Sequence, residues 1–384
     1  MKIHLIVPLL LFLMLLTVAL CTGSQLFLLL SFLVLLTFLA GILSVLWAAA
    51  TLEVEGDLSG ETVHRGDDLI LSLRMRHRGW LPIAPLLLEL SDPAGKRDRE
   101  IRLKNMPGRI QTLRLPIHAS HVGAYSVGLR SCTVEDLLGI VSKRRPLDQT
   151  SFDLLVLPRT FDTEPLKMAP GDPGSELMAR ATEDLSAPSD TRSYQPGDAM
   201  KKIHWKLSLR KGELMVRKFD EPVLQDVLLL MDCSRPPSWG HPQAEADIKD
   251  TLLETAASVI TAQSVTDRTW RLPLLGSHPV DVETSMGLPL ALDYLSRVDF
   301  SETDRFERVL SMEAGRLRKV GCVVIIAARL NVAMVDIMIR MHRAGPNILL
   351  YLVTFAPEDE NILPLIVRLR QAGIDVSYVT PDLG

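Results

Sequence analysis

RSYQPGDAMKKIHWKLSLRKGELMVRKFD, residues 192–220, joins a β-patterned first half of the chain to an α/β-patterned second half. Pro196 and Gly197 form a turn signal, because Pro fixes φ and Gly tolerates positive φ. Asp198 is placed to cap a short helix that starts at Ala199, with Ile203 and Leu207 four residues apart as its apolar stripe. Gly212 ends that helix, and residues 213–219 read as a strand. The cations Lys201, Lys202, Lys206, Arg210 and Lys211 surround Trp205, a combination that suits an acidic protein surface, a phosphate or a lipid headgroup. The plain alternative is a solvated basic helix with Trp205 packed inward.

Working outward, the chain has 384 residues, a net charge of −4 and four widely spaced cysteines: Cys21, Cys132, Cys233 and Cys322. This balance does not suggest nucleic-acid binding, and no zinc or disulfide spacing is present. Residues 3–20 and 26–50 are two apolar runs of membrane-spanning length, separated by Cys-Thr-Gly-Ser-Gln. A cleaved signal peptide would have a shorter apolar core, so a two-span hairpin over 1–51 is expected. Lys2 and the cluster Arg65, Arg74, Arg76 and Arg78 place both ends in the cytoplasm by the positive-inside rule. Gly41, Ala48, Ala49 and Ala50 would let helices pack closely, which leaves room for a homo-oligomer.

From 52 to 158 the period changes to two, as in Leu69, Leu71, Leu73 and Met75. Further apolar runs lie at 86–90, 110–117, 125–129 and 152–157, separated by the breakers Gly79, Pro82, Asp92-Pro93, Gly95, Pro107-Gly108 and Gly123, which read as turns. An antiparallel β-sandwich follows from this pattern. Arg65, Gly66 and Asp67 read as an ordinary turn, and Arg144 and Arg145 as a solvated strand end. Residues 159–191, rich in Pro, Gly, Asp and Ser, read as a mobile linker. Residues 222–384 alternate strand and helix, which predicts a doubly wound α/β domain. Its first strand, 227–231, is wholly apolar and ends at Asp232, as a central parallel strand should. Strands are also expected at 269–275, 322–327, 348–355 and 374–379, and helices at 244–263, 305–319, 333–343 and 358–371, the last kinked at Pro364.

The pattern R-x-Y-x-P-G-D, then I-H-W-K, then R-x-G-E-L-M-V resembles the signature of the domain of unknown function 58 family. It is carried by Arg192, Tyr194, Pro196, Gly197, Asp198, Ile203, His204, Trp205, Lys206, Arg210, Gly212, Glu213, Leu214, Met215 and Val216. Gly123, Ala124 and Tyr125, with Asp136 to Ile140, resemble two further family elements, although Leu137 stands where Pro is usual. The resemblance implies a prokaryotic membrane protein with an immunoglobulin-like β segment and a C-terminal von Willebrand factor A-like domain. It implies a MoxR-type AAA+ ATPase as partner. Arg192, Asp198, Lys201, Lys202, Trp205, Lys206 and Arg210 are the partner-binding candidates. A-type domains carry an adhesion-type magnesium site of pattern D-x-S-x-S, for which Asp232 and Ser234 match. Pro236 replaces the second Ser, and Arg329, following the strand at 322–327, would oppose a cation, so the set is degenerate.

The expected role is a membrane-anchored cytoplasmic scaffold for assembling envelope or enzyme complexes, without catalysis or a required cofactor. One alternative is a cysteine hydrolase using Cys233 and His241, for which Asp232 and Asp247 are available as orienting groups. The other is a sensor of anionic lipid surfaces through the basic helix.

Overall fold

The computed structural model describes residues 2–3, 6–77, 86–91, 99–103, 110–136, 139–147, 150–169, 190–194, 203–218, 226–237, 242–266, 268–274, 280–300, 306–317 and 319–381. The chain divides into two compact units, Met1–Arg159 with Leu292–Val298, and Thr160–Ala291 with Asp299–Pro381. The expected turns at Gly79, Pro82, Pro93, Gly95 and Pro107, and Leu137 itself, lie outside the described residues.

In the first unit, β1 (Lys2–Ile3) leads into α1 (Ile6–Thr22), which is followed after two residues by α2 (Gln25–Thr51). So short a connection makes the two helices antiparallel neighbours. The most apolar 18 residues of α2 have a mean hydropathy of 2.8, and the helix is long and apolar enough to cross a membrane, whereas α1 is a shorter apolar helix. Val45, Ala48 and Ala49 of α2 are buried, and Ala48 and Ala49 belong to the core of the β-sheets. Apart from the buried Ser31, residues 25–44 are exposed or half-buried, a length of about 30 Å at 1.5 Å per residue, which matches a hydrocarbon core. Gly41 faces Asp136, whose carboxylate would lie 3.1 Å from an added Cβ. The small residues therefore seat α2 on its own β-structure within this chain.

Among the described residues, nine strands complete the unit: β2 (Leu52–Leu58), β3 (Thr62–His64), β4 (Asp68–His77), β5 (Leu86–Ser91), β6 (Arg99–Leu103), β7 (Ile110–His118), β8 (Gly123–Glu135), β9 (Val141–Pro146) and β10 (Ser151–Leu157). They form two sheets, one ordered β2-β4-β7, the other running β1-β9-β8-β10-β3 with β5 and β6 branching from β8. Alternation buries Leu69, Leu71, Leu73 and Met75 of one sheet against Leu86, Leu88, Leu90, Leu129 and Val134 of the other. All pairings are antiparallel except β3 with β10, which is parallel over three residues. The expected all-antiparallel arrangement is corrected there, because β3 enters beside β10 in the same direction.

Arg65–Gly66–Asp67 is the turn expected of it: Gly66 takes a φ of +82°, and the Asp67 amide donates to the His64 carbonyl at 3.1 Å. Arg144 and Arg145 are the exposed strand end expected of them, and both also hold partners. Arg145 donates to the carbonyls of Ala49 (3.2 Å) and Leu52 (2.9 Å), a cation satisfying the open end of α2, and Arg144 pairs with Glu89.

In the second unit, residues 160–169 are not free chain. The Phe161 amide donates to the Ser258 hydroxyl at 2.9 Å, and the Ala169 amide to the Gly321 carbonyl at 3.0 Å. The Asn347 side chain holds the Lys167 and Met168 carbonyls, and Met168 is buried. The linker expectation is corrected for this part, while 170–189 lies outside the described residues.

The main elements here are β13 (Asp226–Met231), α4 (Pro242–Val265), β14 (Trp270–Leu274), β15 (Val280–Glu283), α6 (Phe306–Ala314), β16 (Val320–Ala327), α7 (Val332–Arg343), β17 (Asn347–Val353), α8 (Leu363–Gln371) and β18 (Asp375–Val379). Between β15 and α6 runs α5 (Leu288–Ser296), which the sequence reading did not anticipate. The sheet order is β15-β14-β13-β16-β17-β18, parallel throughout except β15, which pairs antiparallel with β14. Leu228 and Leu230 enter a core shared with α6, α7 and α8. The alternate residues Val227, Leu229 and Met231 face the other side, where α4 runs. Pro364 sits in the first turn of α8, so it opens the helix and does not kink it. Two short strands, β11 (Asp190–Ser193) and β12 (Met215–Lys218), pair antiparallel around α3 (Trp205–Lys211).

Burial sets the reactivity of the thiols. It raises the pKa values of Cys132 and Cys322 to about 12, so the reactive thiolate is scarce at ordinary pH. Cys233 is also buried, and Cys21 is exposed. In full-length protein in detergent at pH 8, a thiol reagent is expected to leave these three buried cysteines unmodified and to reach them only after denaturation. Fast native labelling of Cys132 or Cys322, read by peptide mass, would contradict this packing.

Candidate functional site

The signature stretch builds a helix clasped by a β-hairpin. The helix Trp205–Lys211 has His204 as its N-cap, whose Nδ1 accepts the Leu207 amide at 3.2 Å, and the expected start at Ala199 lies outside the described residues. Asp198 lies outside the described residues, and Ile203 precedes the helix and is buried. Gly212 closes the helix at φ +73°, a left-handed position that favours glycine. The helix rests on a set of bonds around one buried hydroxyl. Ser208 Oγ accepts the Met215 amide at 2.8 Å and donates to the His204 carbonyl at 3.1 Å, while the His204 amide donates to the Met215 carbonyl at 2.8 Å. The Tyr194 amide adds a bond to the Leu214 carbonyl at 2.7 Å. The signature residues His204, Gly212, Leu214 and Met215 thus fix a local scaffold. Ser208 was not picked out from the sequence, although its place four residues after His204 suits a hydroxyl returning to the i−4 carbonyl.

With Ser208 inward, the outer face carries Trp205, 58% exposed, and Leu209, 84% exposed, four residues apart. Lys206 and Arg210 form a parallel exposed row, and Lys211 is exposed beside them. Trp205 is therefore not packed inward. Arg192 lies in β11, in register with Val216 of β12. Lys201 and Lys202 lie outside the described residues.

A second group stands at the carboxyl ends of β13 and β16. The sheet order reverses between these strands, and open α/β sheets form a crevice there. Asp232 and Ser234 are both buried, and Asp232 Oδ1 accepts the Ser234 amide at 3.0 Å and the Ser234 hydroxyl. From the end of β16, Arg329 donates from Nη2 to Ser234 Oγ, and its Nε stands 4.0 Å from Asp232 Oδ2. Pro236 is buried. Burial raises the Asp232 pKa, against the lowering effect of the two Ser234 hydrogen bonds and of Arg329, with Glu307 raising it further. Ionised Asp232 therefore opposes folding at neutral pH, and that opposition eases as pH falls through the raised value. Glu307, which sequence reading did not select, is held by the Asn331 side chain at 2.6 Å. Asn331 also caps α7 by accepting the Met334 amide at 2.9 Å.

Cys233 lies inside this turn, with its thiol donating to the Met231 carbonyl at 3.6 Å, and His241 is outside the described residues. A cavity of about 320 Å³ lined by Asp226, Thr269, Arg271, Glu283 and Arg316 opens at the amino ends of β13 and β14. That is the opposite end of the sheet from the crevice at Asp232.

Removing the Ser208 hydroxyl leaves the buried Met215 amide without its acceptor, at a cost of about 1–3 kcal/mol. Ser208→Ala is expected to speed amide exchange across residues 204–218 by roughly 10- to 100-fold while the β13–β18 core stays protected. Unchanged exchange at Met215 would show that the hydroxyl does not hold the helix.

Residues 190–278 match the family model described as protein of unknown function DUF58. The chain is 26% identical over 208 residues to the uncharacterized protein YeaD of Bacillus subtilis (strain 168), and the match covers 50% of each protein. The chain thus spans about half the length of that curated relative. Among solved structures, a CARDB domain from Pyrococcus furiosus in complex with di-metal ions matches at 14% identity and a TM-score of 0.19, over 28% of this chain and 86% of that one. Cwp6 from Clostridium difficile matches at 9% identity and a TM-score of 0.18, over 85% of this chain and 37% of that one. Structural likeness at that level carries no argument about fold or function. Residues 190–278 are therefore similar to the DUF58 family, and the YeaD match is a distant similarity over half of the chain.

Proposed function

We propose that the protein is a membrane-anchored scaffold that captures an acidic protein surface on the outer face of α3. The carrying observation is the pair Trp205 and Leu209, exposed side by side with Lys206 and Arg210 on a helix pinned by the buried Ser208. Exposed aromatic and aliphatic groups beside a row of cations suit a partner that offers an apolar pocket rimmed by carboxylates. A MoxR-type AAA+ ATPase is the partner that the family resemblance implies, in the assembly or maturation of envelope or enzyme complexes. The second unit is a von Willebrand factor A-like domain in this reading, which its doubly wound sheet and the Asp232–Ser234 pair at the reversal of strand order support. The two packed sheets of the first unit support an immunoglobulin-like sandwich.

The anchor is a two-span hairpin with the folded units in the cytoplasm. Pairing of β1 with β9 supports this, since the chain before α1 and the chain after α2 both join the same β-structure. Trp47, half exposed near the end of α2, suits the headgroup level.

The double variant Lys206→Glu, Arg210→Glu in full-length detergent-solubilised protein is expected to capture purified MoxR-type ATPase about tenfold less well, or ~1.4 kcal/mol. Capture by the native chain should weaken with added salt. Capture that is equal in both proteins would reject this face as the docking surface. The same exposed tryptophan and cations would also suit anionic headgroups. If Trp205 emission shifts in phosphatidylglycerol nanodiscs but not in phosphatidylcholine ones, the lipid reading takes over.

A further inference from the structure

An adhesion-type site needs several oxygens converging on a small divalent ion, which takes near-octahedral coordination. The residues at the β13–β16 crevice do not fit one. Asp232 Oδ1 is engaged by both the amide and the hydroxyl of Ser234. Ser234 Oγ already accepts the Arg329 guanidinium and donates to Asp232, so a metal would have to approach beside a fixed cation. Pro236 brings no side-chain oxygen. The guanidinium also lies 4.0 Å from the remaining Asp232 oxygen, where it would repel a second cation.

We propose that Arg329 is the permanent cation of this crevice. It supplies from within the chain the positive charge that an adhesion-type site takes from a divalent metal, so the crevice works without metal. The geometry is that of a replacement and not of a chance neighbour. Asp232 is 3% exposed, and Arg329 reaches it from the next strand across the point where the sheet order reverses. Arginine suits the position because it stays charged at all ordinary pH values and its flat fork holds two partners at once. Its side chain is about half exposed, so one edge of the guanidinium rests on Ser234 while another meets solvent. The inference rests on the A-like reading of the second unit and is independent of docking through α3.

The test is manganese(II) binding by full-length protein in detergent, followed by electron paramagnetic resonance and by thermal melting. The native chain is expected to show no manganese uptake that Asp232→Asn removes, and no change in melting temperature with millimolar manganese. Arg329→Asp takes the cation away and adds a carboxylate beside Asp232 and Ser234. This variant is expected to gain manganese binding and to melt higher with the metal than without it, and the added Asp232→Asn change should abolish both. Arg329→Lys, which keeps the charge, is expected to behave as the native chain. Asp232-dependent uptake by the native chain would overturn the proposal. So would an Arg329→Asp protein with a normal cooperative melt and no gain in binding, or an Arg329→Lys protein that binds as Arg329→Asp does.

Discussion

The second unit depends on one constraint: the strand Val227–Met231 is buried on both faces. Val227, Leu228, Leu229 and Leu230 are at most 1% exposed. A strand so apolar cannot lie at an edge or face water on either side, so it has to sit mid-sheet with helices above and below. The chain meets this by adding β14 and β15 on one side and β16, β17 and β18 on the other. Strand order must then reverse beside β13, and the first polar residue after it opens into the resulting crevice. Asp232 and Arg329 meet there because of that topology, although 97 positions separate them in the chain (329 − 232).

Two charge arrangements of the same kind recur in the molecule. At the end of α2, Arg145 satisfies the Ala49 and Leu52 carbonyls, which joins the membrane-length helix to the β-sheets by charge as well as by apolar contact. At the crevice, Arg329 stands beside Asp232 and Ser234. In each case a long cationic side chain crosses from a neighbouring strand to polar groups that are short of partners. A buried carboxylate left without such a partner would shift towards its neutral form.

The signature helix has a different logic. Seven residues are too few for a stable isolated helix. α3 holds its shape because His204, Ser208 and Met215 close a small set of backbone and hydroxyl bonds around it. That anchoring fixes which side faces outward. Trp205 and Leu209 are exposed because Ser208 occupies the inward position, so a face with a large apolar area is displayed at little conformational cost.

The sequence by itself determined the periodic elements. The period of two in Leu69 to Met75, the continuous run at 227–231 and the apolar length of 26–50 each named its element, because burial and hydrogen bonding act directly on those spacings. The family signature was legible in the same way, as residue types at fixed offsets. The tertiary structure decided what local pattern cannot carry. It capped α3 with His204, whose amide is held by the Met215 carbonyl of β12, eleven positions further along the chain (215 − 204). It tied down residues 160–169 through Ser258, Gly321 and Asn347, partners that no window around a Pro-rich stretch contains. It gave Arg145 to the end of α2, and it brought Arg329 onto Ser234. These are long-range encounters, fixed by which strand ends adjoin, and a linear pattern records spacing along the chain but not adjacency across a sheet.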